Sequence, residues 1–220
     1  MRSVIFDLDG TLADTSGDLL AAANACFIDM GEGAVLEVGR DSGVALRGGR
    51  AMLRAGLARL GRPDEAVVDR YYSVLLEAYA GAIDTHTVMY DGAIEAVEAL
   101  KSAGYGVGIC TNKPEGLAET LMQNLGVRGA FQSLVGADTL PVRKPDPAPL
   151  FEAARRTGGD PARCLLVGDT DTDRNTARAA GVPSVLVTFG PAGGDMAALK
   201  PEALLDNYAD LPRIVSELIG

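Results

Sequence analysis

The fold is decided near the start of the chain, by the stretch Ser3-Val4-Ile5-Phe6-Asp7-Leu8-Asp9-Gly10-Thr11. Its β-branched and aromatic residues predict a buried strand, which ends abruptly at a carboxylate. Asp7 and Asp9 are two residues apart, so in an extended chain they point to the same side. Two acids on one side repel each other unless a cation lies between them. Gly10 permits the sharp turn that a strand exit needs, and the stretch therefore predicts a polar site rather than an ordinary strand end.

The length, composition and charge of the chain limit the classes of protein to which it can belong. With 220 residues, 47% of them hydrophobic, it suits one large domain or a domain with an insertion. Its formal charge of −10 argues against a nucleic-acid partner, although a local metal or lysine can still attract an anionic substrate. The three cysteines show no metal or disulfide spacing, and no signal peptide or membrane-spanning run is visible. We therefore expect a cytoplasmic monomer or homodimer with no membrane partner.

A helical block follows the opening strand. Apolar residues at helical spacing predict helices over roughly 17–30, 33–46, 50–61 and 64–81. No convincing strand appears between residues 14 and 88. We predict that residues 14–88 form a helical domain inserted into an α/β core, which consists of residues 1–13 and 89–220.

Strands and helices alternate in the second segment of that core, which is typical of a parallel α/β sheet. The predicted strands are 105–111, 133–137, 163–168, 184–188 and 203–205. Polar residues follow the strand ends, and they are Asp7, Asp9, Thr111, Asn112, Lys113, Lys144 and Asp169. Because the carboxyl ends of parallel strands share one edge, where ligands bind, we expect these residues to converge.

Two of these clusters allow a functional and a structural interpretation. Thr111-Asn112-Lys113-Pro114 joins a strand to a helix, so its exposed amides and the Thr111 hydroxyl either hold phosphate oxygens or simply begin a helix. Lys144 either offsets the charge of Asp7 and an incoming phosphate or is a solvated loop lysine. In the helical block, Arg47 either clamps a substrate carboxylate or lies on the surface. His86, the single histidine, is interpreted as structural.

A further acidic run, Gly168-Asp169-Thr170-Asp171-Thr172-Asp173, places three acids within five residues. A calcium loop would need glycine at its sixth position and glutamate at its twelfth, where this chain has Arg174 and Ala180. Hard carboxylate oxygens with water positions remaining suit Mg²⁺ instead.

These motifs, in this order, resemble those of the haloacid dehalogenase superfamily. Asp7-Leu8-Asp9-Gly10-Thr11-Leu12 matches its opening Asp-x-Asp-x-Thr pattern, and the later motifs match at Thr111, Lys144 and the run from Asp169 to Asp173. The wording Thr-Asn-Lys-Pro resembles the phosphoglycolate phosphatase group within the superfamily. The resemblance implies a Rossmann-like core with an inserted four-helix cap of the first cap class.

The same resemblance implies a Mg²⁺-dependent phosphatase that acts on a small phosphorylated substrate, in the first place 2-phosphoglycolate. Asp7 would attack phosphorus to form an aspartyl-phosphate, Asp9 would be the general acid and base, and Lys144 would complete the catalytic set. The implied metal ligands are Asp7, Asp9 and Asp169. Asp173 is implied as a second acid that orients either the water molecules on the metal or Lys144. The implied substrate and phosphate contacts are Gly10, Thr11, Arg47, Thr111, Asn112 and Lys113.

The chain departs from the wording of that group at Arg47-Gly48-Gly49-Arg50 and at Phe189-Gly190-Pro191, so the substrate stays open. Sugar phosphates, nucleotides and pyrophosphate are the other candidates. A phosphomutase would use the same two acids, whereas a dehalogenase has no need of Asp9. A regulator that only binds phosphate is the alternative from another class, and it does not need Asp9 either.

Overall fold

The computed structural model describes residues 1–191 and 195–220. Residues 192–194, which the predicted core segment 89–220 includes, lie outside the described part. The chain divides into two compact units. One is an α/β unit made of residues 1–13, 89–190 and 195–220, and the other is a mainly helical unit made of residues 14–88 together with Pro191.

The described residues form eight strands, nine α-helices and four short 3-10 helices. The strands are β1 (Ser3–Phe6), β2 (Ala13–Asp14), β3 (Val88–Met89), β4 (Gly106–Cys110), β5 (Ser133–Val135), β6 (Cys164–Gly168), β7 (Ser184–Val187) and β8 (Ala203–Leu205). The α-helices are α1 (Ser16–Asp29), α2 (Ser42–Ala45), α3 (Gly49–Arg59), α4 (Glu65–Gly81), α5 (Ala93–Ser102), α6 (Glu115–Asn124), α7 (Ala148–Arg156), α8 (Asp171–Ala180) and α9 (Leu211–Ile219). Short 3-10 helices cover Arg128–Ala130, Pro161–Arg163, Met196–Leu199 and Tyr208–Asp210. Among the described helices, none has both the length and the apolar character needed to cross a bilayer.

A six-stranded sheet organises the α/β unit, in the order β5-β4-β1-β6-β7-β8, and its strand pairs are parallel. Every residue of β1 is buried, as expected for a strand that is covered on both faces. Phe6, the last residue of β1, pairs with Ile109 of β4 and Val167 of β6, so these strands end nearly level. Leu150 and Ala153 of α7 belong to the buried core cluster of this unit. The predicted α/β fold with a parallel sheet is confirmed.

The helical unit is built on α1 and α4, which pack against each other, and α3 packs against both. Phe27 of α1 and Tyr79 of α4 are among the largest fully buried side chains. An ion pair ties the end of α3 to the start of α2, since Arg59 donates to both carboxylate oxygens of the buried Asp41 at 2.7 and 2.9 Å. The hydrogen bonds from Arg59 are the main reason why the pKa of Asp41 lies well below its usual range.

The prediction of a helix over 33–46 is wrong for most of its length, because only Ser42–Ala45 is helical. Asn24 binds the backbone that such a helix would use: its side-chain oxygen accepts from Val35 N–H and Leu36 N–H, both at 2.9 Å, and its amide donates to Leu36 O at 2.8 Å. Gly39 has a φ of 86°, which a helix does not allow. The absence of strands between 14 and 88 also needs correcting, since β2 and β3 form a short two-stranded sheet at these limits.

Candidate active site

Polar side chains gather at the carboxyl edge of the central strands of the α/β unit. Asp7 follows β1, Thr111 follows β4 and Asp169 follows β6, and these strands are neighbours in the sheet. The chain leaves β1 toward β4 and leaves β6 toward β7, so the strand order reverses between β1 and β6. Ligands of open α/β sheets bind at such a switch point, and Asp7 and Asp169 flank it.

The turn after β1 is held from several sides. Gly10 has a φ of 82°, in the left-handed region that favours glycine, and its N–H donates to Ala13 O at 2.8 Å. The Thr11 hydroxyl donates to Asp169 Oδ1 at 3.0 Å. The Tyr208 hydroxyl donates to Thr11 O at 2.7 Å. Tyr208 was missed in the sequence, because nothing local signals a contact with a residue that far away along the chain.

Lys144 lies between two carboxylates of the site. Its Nζ donates to Asp173 Oδ1 at 2.6 Å and lies 3.0 Å from Asp7 Oδ1, and its side chain is only 1% exposed. Burial by itself would lower the pKa of Lys144, but the charges of Asp173 and Asp7 outweigh it and raise the pKa above its usual value. Lys144 is therefore charged at neutral pH and offsets part of the acid around it.

Asp173 is held rigidly behind this lysine. Its Oδ2 accepts from the Thr170 hydroxyl at 2.7 Å, Thr170 N–H at 3.1 Å and Asp169 N–H at 3.3 Å, which is a capping box at the start of α8. Gly168 is required here, because a Cβ at this position would lie 2.4 Å from the Asp173 side chain. Asp171, the third acid of the run, is exposed.

The acids outnumber the cation that contacts them. Carboxylate oxygens of Asp7, Asp169 and Asp173 lie within 4.8 Å of one another. Burial, which the charges of Asp173 and Asp9 reinforce and Lys144 only partly opposes, raises the pKa of Asp7 to about 7. Burial, Asp173 and Asp7 likewise raise the pKa of Asp169 well above its usual value.

The cluster fits a divalent cation. Asp169 Oδ2 is buried and has no hydrogen-bond partner among residues 1–191 and 195–220. A buried carboxylate oxygen without a partner is costly, and a hard cation would satisfy it while restoring the ionised form of its neighbours. Asp9 lies beside this group, with its Oδ1 bound to Lys113 Nζ at 2.7 Å.

The turn after β4 brings the predicted phosphate-binding residues to the same edge. Thr111 is buried, and its hydroxyl oxygen accepts from Lys113 N–H at 3.1 Å. The Asn112 amide donates to Lys144 O at 3.0 Å, so it links this turn to the segment that carries the buried lysine. Helix α6 begins at Glu115, whose N–H donates to Asp138 at 2.7 Å. This first helical amide therefore already has an acceptor.

Arg47 is the one predicted site residue outside the α/β unit. It follows α2 in the helical unit, and its side chain is exposed. Its N–H donates to Val44 O at 3.1 Å, and Gly48, with a φ of 89°, then turns the chain into α3.

Known proteins resemble this chain in sequence and in fold. Residues 1–181 match the model of a family of haloacid dehalogenase-like hydrolases. The chain is 40% identical over 206 residues to a phosphoglycolate phosphatase of Mesorhizobium japonicum, covering 93% of this chain and 90% of that protein. It is 37% identical over 216 residues to a phosphoglycolate phosphatase of Rhodospirillum rubrum, covering 96% of this chain and 89% of that protein. Among solved structures, a protein described as a predicted phosphoglycolate phosphatase from Haemophilus somnus 129PT has a TM-score of 0.86, with 25% identity and 97% of each chain covered.

Proposed function

Because the chain belongs to the haloacid dehalogenase-like hydrolase family, as its motifs predicted, we propose that it is a Mg²⁺-dependent phosphatase of 2-phosphoglycolate. The observation that carries this proposal is the group of Asp7, Asp169 and Asp173 around Lys144, with an unsatisfied buried oxygen on Asp169. A site with more acids than cations suits a metal together with a phosphate. The name shared by the two relatives supplies the substrate.

Asp7 is the proposed nucleophile. Leu8 N–H donates to Asp7 Oδ1 at 2.7 Å and Lys144 Nζ lies 3.0 Å from the same oxygen, so the carboxylate is held in one orientation. In the first step, an Asp7 oxygen bonds to phosphorus as the bond from phosphorus to the leaving oxygen breaks. The product is an aspartyl-phosphate on Asp7 together with the free alcohol.

Asp9 is the proposed general acid and base. In the first step it gives its proton to the leaving oxygen. In the second step it takes a proton from the water that attacks phosphorus, which releases inorganic phosphate and restores Asp7. The Asp9 side chain is 15% exposed, more than that of its partner Lys113, so water and the leaving group can reach it.

The proposed ligands of Mg²⁺ are Asp7, Asp169 and, through oxygens other than the one that Lys113 binds, Asp9. When bound, the ion would neutralise charge on the transferring phosphoryl group. Lys144, which contacts both Asp7 and Asp173, would hold the carboxylate of Asp7 in place together with Asp173. We further propose that the phosphate oxygens are bound by residues of the two turns, which are Gly10, Thr11, Thr111 and Asn112. Lys113, also expected among these contacts, has its Nζ 2.7 Å from Asp9 Oδ1. Arg47 is proposed to bind the carboxylate of the substrate.

The test is kcat/KM for 2-phosphoglycolate against sugar phosphates, nucleotides and pyrophosphate, with Mg²⁺ and with EDTA. We expect metal-dependent turnover with a preference of roughly 100-fold, about 2.7 kcal/mol, for 2-phosphoglycolate. Arg47→Met should then raise KM for that substrate. The KM for phosphomonoesters whose leaving group is uncharged should stay unchanged. A flat profile would overturn the substrate but keep the phosphatase, and retention of the phosphoryl group on a bisphosphate substrate would indicate a phosphomutase. No turnover of any phosphomonoester would overturn the proposal as a whole.

A further inference from the structure

A second buried lysine lies in the candidate site and contacts a different acid from Lys144. Lys113 Nζ lies 2.7 Å from Asp9 Oδ1, with side chains 4% and 15% exposed. Lys144 contacts Asp7 and Asp173 instead. The two lysines therefore divide the acids between them: one lies beside the proposed nucleophile and the other beside the proposed general acid and base.

The backbone of Lys113 fixes the direction in which its side chain leaves the turn. Its N–H donates to the Thr111 hydroxyl oxygen at 3.1 Å, and its carbonyl accepts from Ala137 N–H at 2.9 Å. The turn itself follows β4, which is paired with β1, so Lys113 and Asp9 emerge from neighbouring strands at the same sheet edge. A buried lysine that two backbone hydrogen bonds aim at a carboxylate differs from the solvated lysines of a surface loop.

We propose that Lys113 is a positioning residue for Asp9. It holds the Asp9 carboxylate in the orientation from which Asp9 passes its proton to the leaving oxygen and later takes one from water. This inference rests on the proposed function, because it needs Asp9 as general acid and base. A misplacement of about 1 Å can cost as much as 100-fold in rate, so a single ion pair is enough to matter.

Two other roles for Lys113 compete with this one, and each makes a different prediction. A lysine that binds the transferring phosphate contributes equally whatever the leaving group is. A lysine that binds the carboxylate of 2-phosphoglycolate contributes only for that substrate. In formation of the aspartyl-phosphate, a lysine that positions the general acid contributes wherever the leaving oxygen needs a proton, and little where it does not.

The experiment compares Lys113→Met with the wild-type protein on three substrates in Mg²⁺. Ethyl phosphate has a poor, uncharged leaving group, 2-phosphoglycolate has a poor leaving group that carries a carboxylate, and 4-nitrophenyl phosphate has a good leaving group that needs no proton. We expect kcat/KM, which reports formation of the aspartyl-phosphate, to fall about 10- to 100-fold for the first two and less than about threefold for the third. The second step is the same for all three substrates, so a loss in that step lowers kcat without regard to the leaving group. Lys101→Met is the matched control, since Lys101 pairs with Glu98 on the same unit and lies away from the strand ends.

Other patterns of loss would overturn the proposal. An equal loss of kcat/KM on all three substrates, with weaker inhibition by inorganic phosphate, would assign Lys113 to the phosphate. A loss confined to 2-phosphoglycolate would assign it to the substrate carboxylate. If the wild-type protein hydrolyses none of the three, the proposed function fails and this inference fails with it, whereas normal wild-type turnover with a wrong pattern overturns the inference alone.

A second measurement needs only 2-phosphoglycolate. If Lys113 acts through Asp9, then Lys113→Met in an Asp9→Asn background should lower the remaining kcat by less than about threefold, because the group that it positions is already lost. A full 10- to 100-fold further loss would overturn the inference. Lys113→Gln, which keeps a hydrogen-bond donor without the charge, replaces Lys113→Met in both experiments if the methionine variant does not fold.

Discussion

Each unit buries a carboxylate beside a basic side chain, but the electrostatic outcomes are opposite. In the helical unit, Arg59 binds both oxygens of Asp41, and Glu37 N–H donates to Asp41 Oδ2 at 2.8 Å. The pKa of Asp41 is lowered, with Arg59 as the main cause. In the α/β unit, Lys144 faces both Asp7 and Asp173, and burial raises the pKa of Asp7 to about 7.

The difference shows how a structural ion pair can be told from a candidate functional site. The charge of Asp41 is fully compensated within its own unit, so this pair needs nothing further. The acids around Lys144 are undercompensated, and Asp169 Oδ2 has no partner in the described part of the chain. A fold that keeps such a cluster leaves room for a cation that the chain does not supply.

The largest expected effect concerns the undercompensated acids of the α/β unit. Asp7→Asn should reduce kcat for 2-phosphoglycolate by at least about 10⁴-fold, because an amide cannot take the place of the attacking carboxylate. The fold should persist, because the change removes one of several mutually repelling charges and the ion pair between Lys144 and Asp173 remains. The measurement is kcat together with the melting temperature. Asp171→Asn, on the exposed acid of the same region, is the control and should keep nearly full activity; retained turnover in Asp7→Asn would contradict the nucleophile role.

The sequence allowed much of the α/β unit to be predicted, for a physical reason. A parallel sheet brings strand ends to one edge whatever the intervening lengths are, so residues placed after strands were expected together before any distance was known. Asp7, Thr111 and Asp169 lie at this edge as predicted. The pairing of Lys113 with Asp9 was not predicted, because strand alternation does not show which acid a long side chain will reach.

The sequence-based predictions failed where hydrogen bonds join separate segments of the chain, because no local pattern encodes such bonds. The helix predicted over 33–46 did not form because Asn24, in α1, occupies the backbone groups of Val35 and Leu36. Tyr208 was overlooked because its contact with Thr11 O joins the two ends of the chain. In both cases a polar side chain binds backbone groups of another segment, and its partner is known only once the tertiary fold is known.

Magnesium should affect stability in a way that depends on pH. The pKa of Asp7 is raised from 3.8 to about 7, so its protonated form stabilises the metal-free fold below about pH 4, and this contribution is lost as the pH rises to about 7. Mg²⁺ requires the ionised form, so its binding strengthens over the same range. At a concentration about 100 times its dissociation constant at pH 8, Mg²⁺ should add about 2.7 kcal/mol to the free energy of unfolding, and less than about 1 kcal/mol at pH 5.

Thermal unfolding with Mg²⁺ and with EDTA, at pH 5 and pH 8, measures this difference. Asp7→Asn is the control, because it removes one carboxylate whose proton competes with the metal and should reduce the pH dependence to the part that Asp169 contributes. A magnesium effect of equal size at both pH values would contradict the role of Asp7 as a ligand.

The smallest effect is expected for the compensated pair of Asp41 and Arg59. The stability that this pair contributes depends on pH in the opposite direction to that of Asp7. Because the pKa of Asp41 is lowered in the fold, its charge contributes stability above the unfolded pKa of about 3.9, and that stability is lost as the pH falls below this value. Asp41→Asn should therefore cost about 1–2 kcal/mol at pH 7, the partial exposure of Arg59 keeping the figure low, and the cost should shrink as the protein is acidified. In EDTA, Asp7→Asn should do the reverse and become increasingly stabilising from pH 4 to pH 7. If both variants showed the same pH trend in unfolding experiments, the distinction between a compensated and an undercompensated buried acid would not hold for this protein.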